Sequence, residues 1–450
     1  MPIEDVSGTD LTYYLISYDK EGKERREPGG DLLSARLEKE ISGAPCTDIF
    51  IFSHGWRGDV PAARDQYGRW LRVMAGQESD IAEAKKVRSG FKPLMIGLHW
   101  PSEPWGDEEL GGETSFSIPP EGTSAPALGL QDTARRFVEQ YAERIADSEA
   151  ARAALFTIFS AAAEDIVPPV LPPEVRAAYE IINREAGLGA AGEGGSPSDD
   201  REPFDAEAAY QRSREEDEFS FGQLSLGGLL SPLRQLSFWK MKDRARLFGE
   251  SGGHQLLNRL QAKTKRDVRF HLMGHSFGCI VASGMLGGPN GKGSLGRSVN
   301  SLALVQGALS LWSYCSEIPS VARQQGYFRS IVETNKVSGL FFTTQSEGDT
   351  AVGRLYPLAA GVAQQVNFGA PGGDLPKYGG LGTFGVRGPG CDIVDQPIAS
   401  QGDSNRFQRG KIYNLDSSAF ISGGSGASGS HNNIDRPEVA HAVWEAMINS

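Results

Sequence analysis

Two Gly-x-Ser-x-Gly pentapeptides occur in this 450-residue chain, GESGG at 249–253 and GHSFG at 274–278. A serine hydroxyl is a weak nucleophile unless the backbone holds it out and a base takes its proton. GHSFG has the surroundings for that. The apolar run VRFHLM leads into it, and CIVASGML leads out with small and apolar residues at helical spacing. Strand, sharp turn and helix together lift Ser276 above a sheet edge at a helix N-terminus. Gly274 and Gly278 let neighbouring backbone approach without a Cβ clash. GESGG instead follows KDRARLF, a charged helical pattern, so Ser251 is expected in a helix C-cap and turn.

Attack by Ser276 needs a base, a group to orient that base, and donors for the developing oxyanion. The base is sought after the last strand pattern, KIYNLDSSAFI (411–421), where only His431 and His441 of the seven histidines lie. His431 sits in the loop GSGSHNNIDRPEV and is favoured. His441 lies in PEVAHAVWEAM, where Val439, Ala440, Val443 and Met447 form the apolar stripe, so it is expected on the helix surface. The carboxylate is sought after SGLFFTTQSEGD (338–349), and Asp349 at the loop tip is preferred, with Glu347, Asp392 and Asp395 in reserve. The oxyanion donors are expected from the N–H of Trp56, after IFIFSHG, and the N–H of Phe277, next to the nucleophile. His54 is expected to shape the oxyanion turn, and His275, beside the nucleophile, to point along a different direction of the elbow. His99 and His271 read as strand residues, and His254 as a helix start.

The elements that must position these residues follow from periodicity. Strand patterns at 11–19, 47–56, 93–102, 268–276, 298–310, 338–349 and 411–421 are mostly apolar on both faces and alternate with helical patterns. That combination predicts an α/β chain with a parallel sheet covered on both sides. The closing helix begins near Pro437, with Asp435 placed to cap it. Two regions break the rhythm. Residues 103–235 form a long excursion with one strong helical run (128–159), a Pro-rich segment and a second helix, read as a cap or as an independent domain; GLGAAGEGGSPSDDRE, near 188–204, is read as a mobile linker. Residues 359–405 are Gly-rich and loop-like. Residues 1–102 and 236–450 then form the two parts of the core.

HGW at 54–56, GHSFG at 274–278, an Asp after a later strand and a late His, in the order Ser, Asp, His, resemble the α/β-hydrolase superfamily of serine hydrolases, esterases and lipases among them. The resemblance covers about residues 45–102 and 250–450, and the insertion after LHWPS and the long loop beyond Asp349 depart from it. It implies the α/β-hydrolase fold, a mostly parallel central sheet with helices on both faces and a large, mainly helical cap or lid insertion. It implies Ser276 as nucleophile, Asp349 as acid, His431 as base, and Trp56 and Phe277 as oxyanion donors. The activity it implies is hydrolysis of a small-molecule carboxylic ester, thioester, lactone or amide through an acyl-enzyme, without metal or organic cofactor. Lipase, thioesterase, amidase and acyltransferase chemistry share the same apparatus, and a binding or scaffold protein on the same fold is the non-catalytic alternative. LSLGGLLSPLRQLSFWKM (224–241) reads equally as an acyl-pocket lining, a lid, or plain core.

Composition sets the bounds. A net charge of −12 disfavours nucleic acid, whose phosphates need basic patches. The N-terminus is acidic and has no apolar h-region, and no stretch is long enough to span a bilayer, so neither secretion nor membrane insertion is expected. Cys46, Cys279, Cys315 and Cys391 are scattered, which suits a reduced cytoplasmic setting and disfavours a zinc site.

Overall fold

The computed structural model describes residues 3–43, 46–55, 60–102, 130–162, 168–219, 227–349, 351–352, 375–423 and 429–450. By internal packing the chain divides into two units. The first comprises residues 1–102, 193–200 and 242–450, and the second 103–192 and 201–241.

The first unit is built on one nine-stranded sheet. Its strands are β1 (Ile3–Asp5), β2 (Thr12–Ser17), β3 (Asp48–Ser53), β4 (Pro93–His99), β5 (Arg269–His275), β6 (Val299–Val305), β7 (Val337–Gln345), β8 (Ile393–Pro397) and β9 (Ile412–Asp416). Their order is β1-β2-β4-β3-β5-β6-β7-β9-β8; β1 pairs antiparallel with β2, and every other pair is parallel. β3 is buried at all six positions, as a strand covered on both faces must be. Alternate residues go to opposite sides. Phe50, Phe52, Met273, Val305, Phe342 and Leu415 share one apolar cluster with the helices Val60–Ala75 and Pro437–Ile448. The intervening Ile49, Ile51, Leu272, Leu302 and Leu304 are equally buried. The helix Gly278–Gly287, buried at every position, packs on β3, β5 and β6.

The strand order places a switch point between two neighbours. From β3 the chain moves to β4 on one side, whereas from β5 it moves to β6 on the other. Such a switch point, at the carboxyl ends of the strands, is where open α/β sheets bind ligands. Register puts Ser53 opposite Gly274 and His275 opposite Val305, so the ends of β3, β5 and β6 lie side by side.

Several expectations need correction. The 359–405 region, read as loop, contains β8 and the short helix Leu381–Phe384; β8 is a half-exposed edge strand with weak alternation, which hides it in sequence. The helical run at 128–159 is two helices, Leu130–Ala142 and Glu149–Ala162. The second starts where the Ser148 hydroxyl accepts the Ala151 N–H at 3.1 Å, a local stop-and-restart signal. The N-cap of the last helix is Arg436, not Asp435, whose carboxylate instead faces Arg69 at 3.4 Å. Part of the stretch expected to act as a linker is buried in the first unit. Asp200 accepts the Gly194 N–H at 2.9 Å, and Gln324 donates to the Gly194 carbonyl at 3.0 Å. Of LSLGGLLSPLRQLSFWKM, residues 227–241 belong to the helix Gly227–Phe248, and Leu230, Leu233, Leu236, Trp239 and Met241 are buried there.

Among the described residues no helix is long and apolar enough to cross a membrane. All four cysteines are free thiols.

Candidate active site

Ser276 follows β5 directly and takes a left-handed backbone, with φ of +55°. A Cβ-bearing residue pays about 1–2 kcal/mol for that conformation, so its surroundings must enforce it. They do so through the main chain. The Ser276 N–H donates to the Val305 carbonyl at 3.1 Å, and its own carbonyl accepts the N–H of Cys279 at 3.1 Å and of Ala308 at 3.2 Å. The flanking glycines are there for space. A Cβ on Gly278 would lie 2.2 Å from the Ser53 carbonyl oxygen, and one on Gly274 would lie 2.3 Å from the Gly278 oxygen. The strand end and the helix start are thus pressed onto the end of β3. The GESGG glycines also serve close packing, yet with a different backbone. Residues 249–253 form a π-helical turn between two helices, so Ser251 lies within a continuous helical run and not at a C-cap. There a Cβ on Gly249 would meet the Val281 carbonyl at 2.7 Å.

The end of β3 supplies the second wall. His54 and Gly55 are buried, and a Cβ on Gly55 would stand 2.6 Å from the Ser276 Cβ. The turn is held from behind. The His54 N–H donates to Tyr67 Oη at 2.8 Å, its Nδ1 donates to the Gly55 carbonyl at 2.8 Å, and Ser102 Oγ donates to the same carbonyl at 3.0 Å. Burial, with His99 nearby, pushes the His54 imidazole down to about 3, so this ring is neutral and structural. Trp56 lies outside the described residues. Phe277 is buried and forms the N-cap of the helix Gly278–Gly287.

The loops after β7 and β9 bring Asp349 and His431 together. His431 Nδ1 donates to Asp349 Oδ2 at 2.7 Å, across 82 positions of sequence. The Asp349 side chain is fully buried. Its Oδ1 accepts the Val352 N–H at 2.9 Å, and its Oδ2 also accepts Gln306 Nε2 at 2.8 Å. With Nδ1 committed to the carboxylate, His431 carries its lone pair on Nε2, the tautomer a general base needs.

The loop of His431 is tied to the elbow by His275. This side chain donates from Nε2 to the His431 carbonyl at 3.0 Å and accepts Gln66 Nε2 on its Nδ1 at 2.9 Å, with its ring 4.9 Å from the His431 ring. Strand alternation sends His275 toward the helix Val60–Ala75 and the His431 loop. No hydrogen bond joins Ser276 Oγ to the His431 ring among the described residues. Such contacts are often long before a substrate is bound.

The remaining candidates lie elsewhere. Glu347 and Asp392 are exposed, and Asp395 pairs with Arg387 at 2.7 Å. His441 is buried, contrary to the expected surface position, because its helix is covered on all sides and Asp80 meets it at 2.8 Å. His271 bonds Asp48 at 3.1 Å, and His254 bonds the Met285 carbonyl at 2.8 Å. Gln306 is the residue that sequence reasoning missed most completely. It sits in VQG, a strand-end tripeptide with no catalytic signature, and only the pairing of β6 with β7 brings it to Asp349. Among the described residues no cluster of three or more His, Cys, Asp or Glu side chains could hold a metal ion.

No family model, curated protein or solved structure matches this chain.

Proposed function

We propose that this protein is a serine hydrolase of the α/β-hydrolase type that cleaves a carboxylic ester through an acyl-enzyme on Ser276. The observation that carries the reading is a conjunction. A serine held at φ +55° stands at the carboxyl end of a central parallel strand, and a buried His431–Asp349 pair at 2.7 Å is tethered to that same strand end. A left-handed non-glycine residue at a strand-to-helix turn is strained backbone of the kind that exposes a nucleophile. A buried imidazole with Nδ1 on a carboxylate is a base in waiting.

In this account His431 Nε2 takes the Ser276 proton as the hydroxyl oxygen bonds to the acyl carbon. Asp349 stabilises the resulting imidazolium while remaining ionised. The oxyanion is held by the N–H of Phe277 and by the N–H of Trp56, and removing one such donor costs about 3–4 kcal/mol of barrier. Collapse expels the alcohol, protonated by His431. Water, deprotonated by the same ring, then attacks the acyl-enzyme and releases the acid and the serine. Lipases, thioesterases, amidases and acyltransferases would use the same steps with another leaving group or acceptor.

A p-nitrophenyl ester series of increasing acyl length tests this. Turnover on short chains, abolished in Ser276→Ala, supports an esterase, and an optimum on long chains supports a lipase. Tight ester binding with no turnover in the wild type would instead support a binding protein on a hydrolase-like scaffold.

A further inference from the structure

We infer that Gln306 is a positioning residue, whose carboxamide holds the Asp349 carboxylate toward His431 and sets how strongly that carboxylate attracts the imidazole proton. This role rests on the reading of Ser276, His431 and Asp349 as a triad.

Gln306 directly follows β6, is fully buried, and has a left-handed backbone with φ of +46°. A non-glycine residue keeps that conformation only where its neighbours over-determine it. Here they do so at the main-chain N–H and at both ends of the side-chain amide. The Gln306 N–H donates to Thr344 Oγ1 at 3.0 Å, and the same hydroxyl donates back to Gln306 Oε1 at 2.9 Å. Nε2 donates to Asp349 Oδ2 at 2.8 Å and to the Gly382 carbonyl at 3.2 Å.

The orientation of the amide is set by its partners. Turning it over would aim Oε1 at a carboxylate and a carbonyl, two acceptors with no proton to give. A donor is therefore required beside Asp349, and both N–H bonds of the amide are used. Gly382 allows the approach, since a Cβ there would lie 3.1 Å from Asp349 Oδ2.

The chemical consequence follows from sharing one oxygen. Asp349 Oδ2 takes both the Gln306 amide and His431 Nδ1. Hydrogen bonds to a carboxylate lower its basicity. With the amide donor gone, Asp349 becomes a stronger partner for the imidazolium, and His431 keeps its proton to higher pH. Among the described residues the titratable groups facing His431 are this carboxylate and the His275 ring at 4.9 Å, and the substitutions below leave His275 untouched.

The experiment is an NMR titration of the His431 ring in the full-length chain, with ring-labelled histidine and assignment by loss of the signal in His431→Gln. Gln306→Asn tolerates the left-handed backbone but cannot reach Asp349. Gln306→Met keeps the length of the side chain and removes the donor. The titration midpoint is expected to rise by about half a unit both in Gln306→Asn and in Gln306→Met. The acid limb of ester hydrolysis should move with it. An unchanged midpoint in either variant that folds with native near-ultraviolet dichroism would overturn the inference, because a merely structural role moves the melting temperature and not the ring titration. Labelling of wild-type Ser276 by a fluorophosphonate is read separately, so failure of the triad reading and failure of the Gln306 role are told apart.

Discussion

At the residue scale, the site depends on what each side chain is forbidden to do. Asp349, with an amide N–H, a main-chain N–H and the imidazole around it, has no direction left in which to turn. Replacing it by Asn preserves the volume but presents an amide that stabilises the wrong imidazole tautomer. Asp349→Asn should lower kcat by a factor on the order of 10⁴ with little change in melting temperature, as steady-state kinetics and calorimetry would show. Loss of folding in place of loss of rate would mean that the carboxylate is structural. Ser276, Phe277, Asp349 and His431 could be named as candidates from the sequence because their types and order fit the proposed chemistry, and the structure brings Asp349 and His431 together. Gln306 and His275 could not be named so, because nothing local marks an amide or an imidazole as the partner of a loop 43 or 156 residues away.

At the scale of elements, two contacts decide whether the elbow and its supporting helix hold their places. The elbow helix starts against β3 with no room for a methyl group, since a Cβ at 278 would stand 2.2 Å from the Ser53 oxygen. Gly278→Ala should therefore cost about 1–3 kcal/mol and move Ser276, reading out as a lower urea midpoint together with slower ester hydrolysis. The helix Pro437–Ile448, which follows the His431 loop, is fastened to the helix Glu78–Val87 by the His441–Asp80 pair at 2.8 Å. The Asp80 hydrogen bond, opposed by burial, raises His441 to about 9. The folded state thus binds that proton more tightly than the unfolded chain, whose imidazole has the ordinary value near 6.5. Its contribution is whole below pH 6.5 and is lost as pH rises through about 9. Urea midpoints of the wild type should fall across that window, and those of Asp80→Asn should fall less; parallel curves would contradict the assignment. Apolar patterning revealed this helix from sequence but placed His441 outside, because a stripe of apolar residues does not disclose that the opposite face is also covered.

At the scale of the whole molecule, the sheet divides its labour between its two ends. The carboxyl ends of β3, β5, β6 and β7 lead into the candidate site. The amino ends of β3 and β5 carry Asp48, fully buried, with Arg269 at 2.8 Å and His271 at 3.1 Å. Burial works to raise the Asp48 carboxyl, but the His271 and Arg269 contacts win and hold it near 2. Arg269 also reaches the Met447 carbonyl at 3.1 Å, joining the sheet to the last helix. Arg269→Ala leaves the buried Asp48 with Arg88 at 3.5 Å and the His271 hydrogen bond, and should cost about 1.5–3 kcal/mol of stability while leaving the rate per folded molecule unchanged. A rate that falls with stability intact would show coupling between the two ends. The alternation of apolar strands and helices made the parallel sheet readable. The edge strands β1 and β8 escaped notice because they are short and half-exposed, and the buried stretch 193–200 escaped because its glycines and serines signal a linker until Gln324 and Asp200 are seen to bind it.

The most direct measurement is covalent. Incubation of the wild-type chain with a fluorophosphonate probe, followed by peptide mapping, should place a single adduct on Ser276, with labelling suppressed in His431→Gln and absent in Ser276→Ala. A wild-type chain that takes no probe, or an adduct that persists unchanged in Ser276→Ala, would contradict the account.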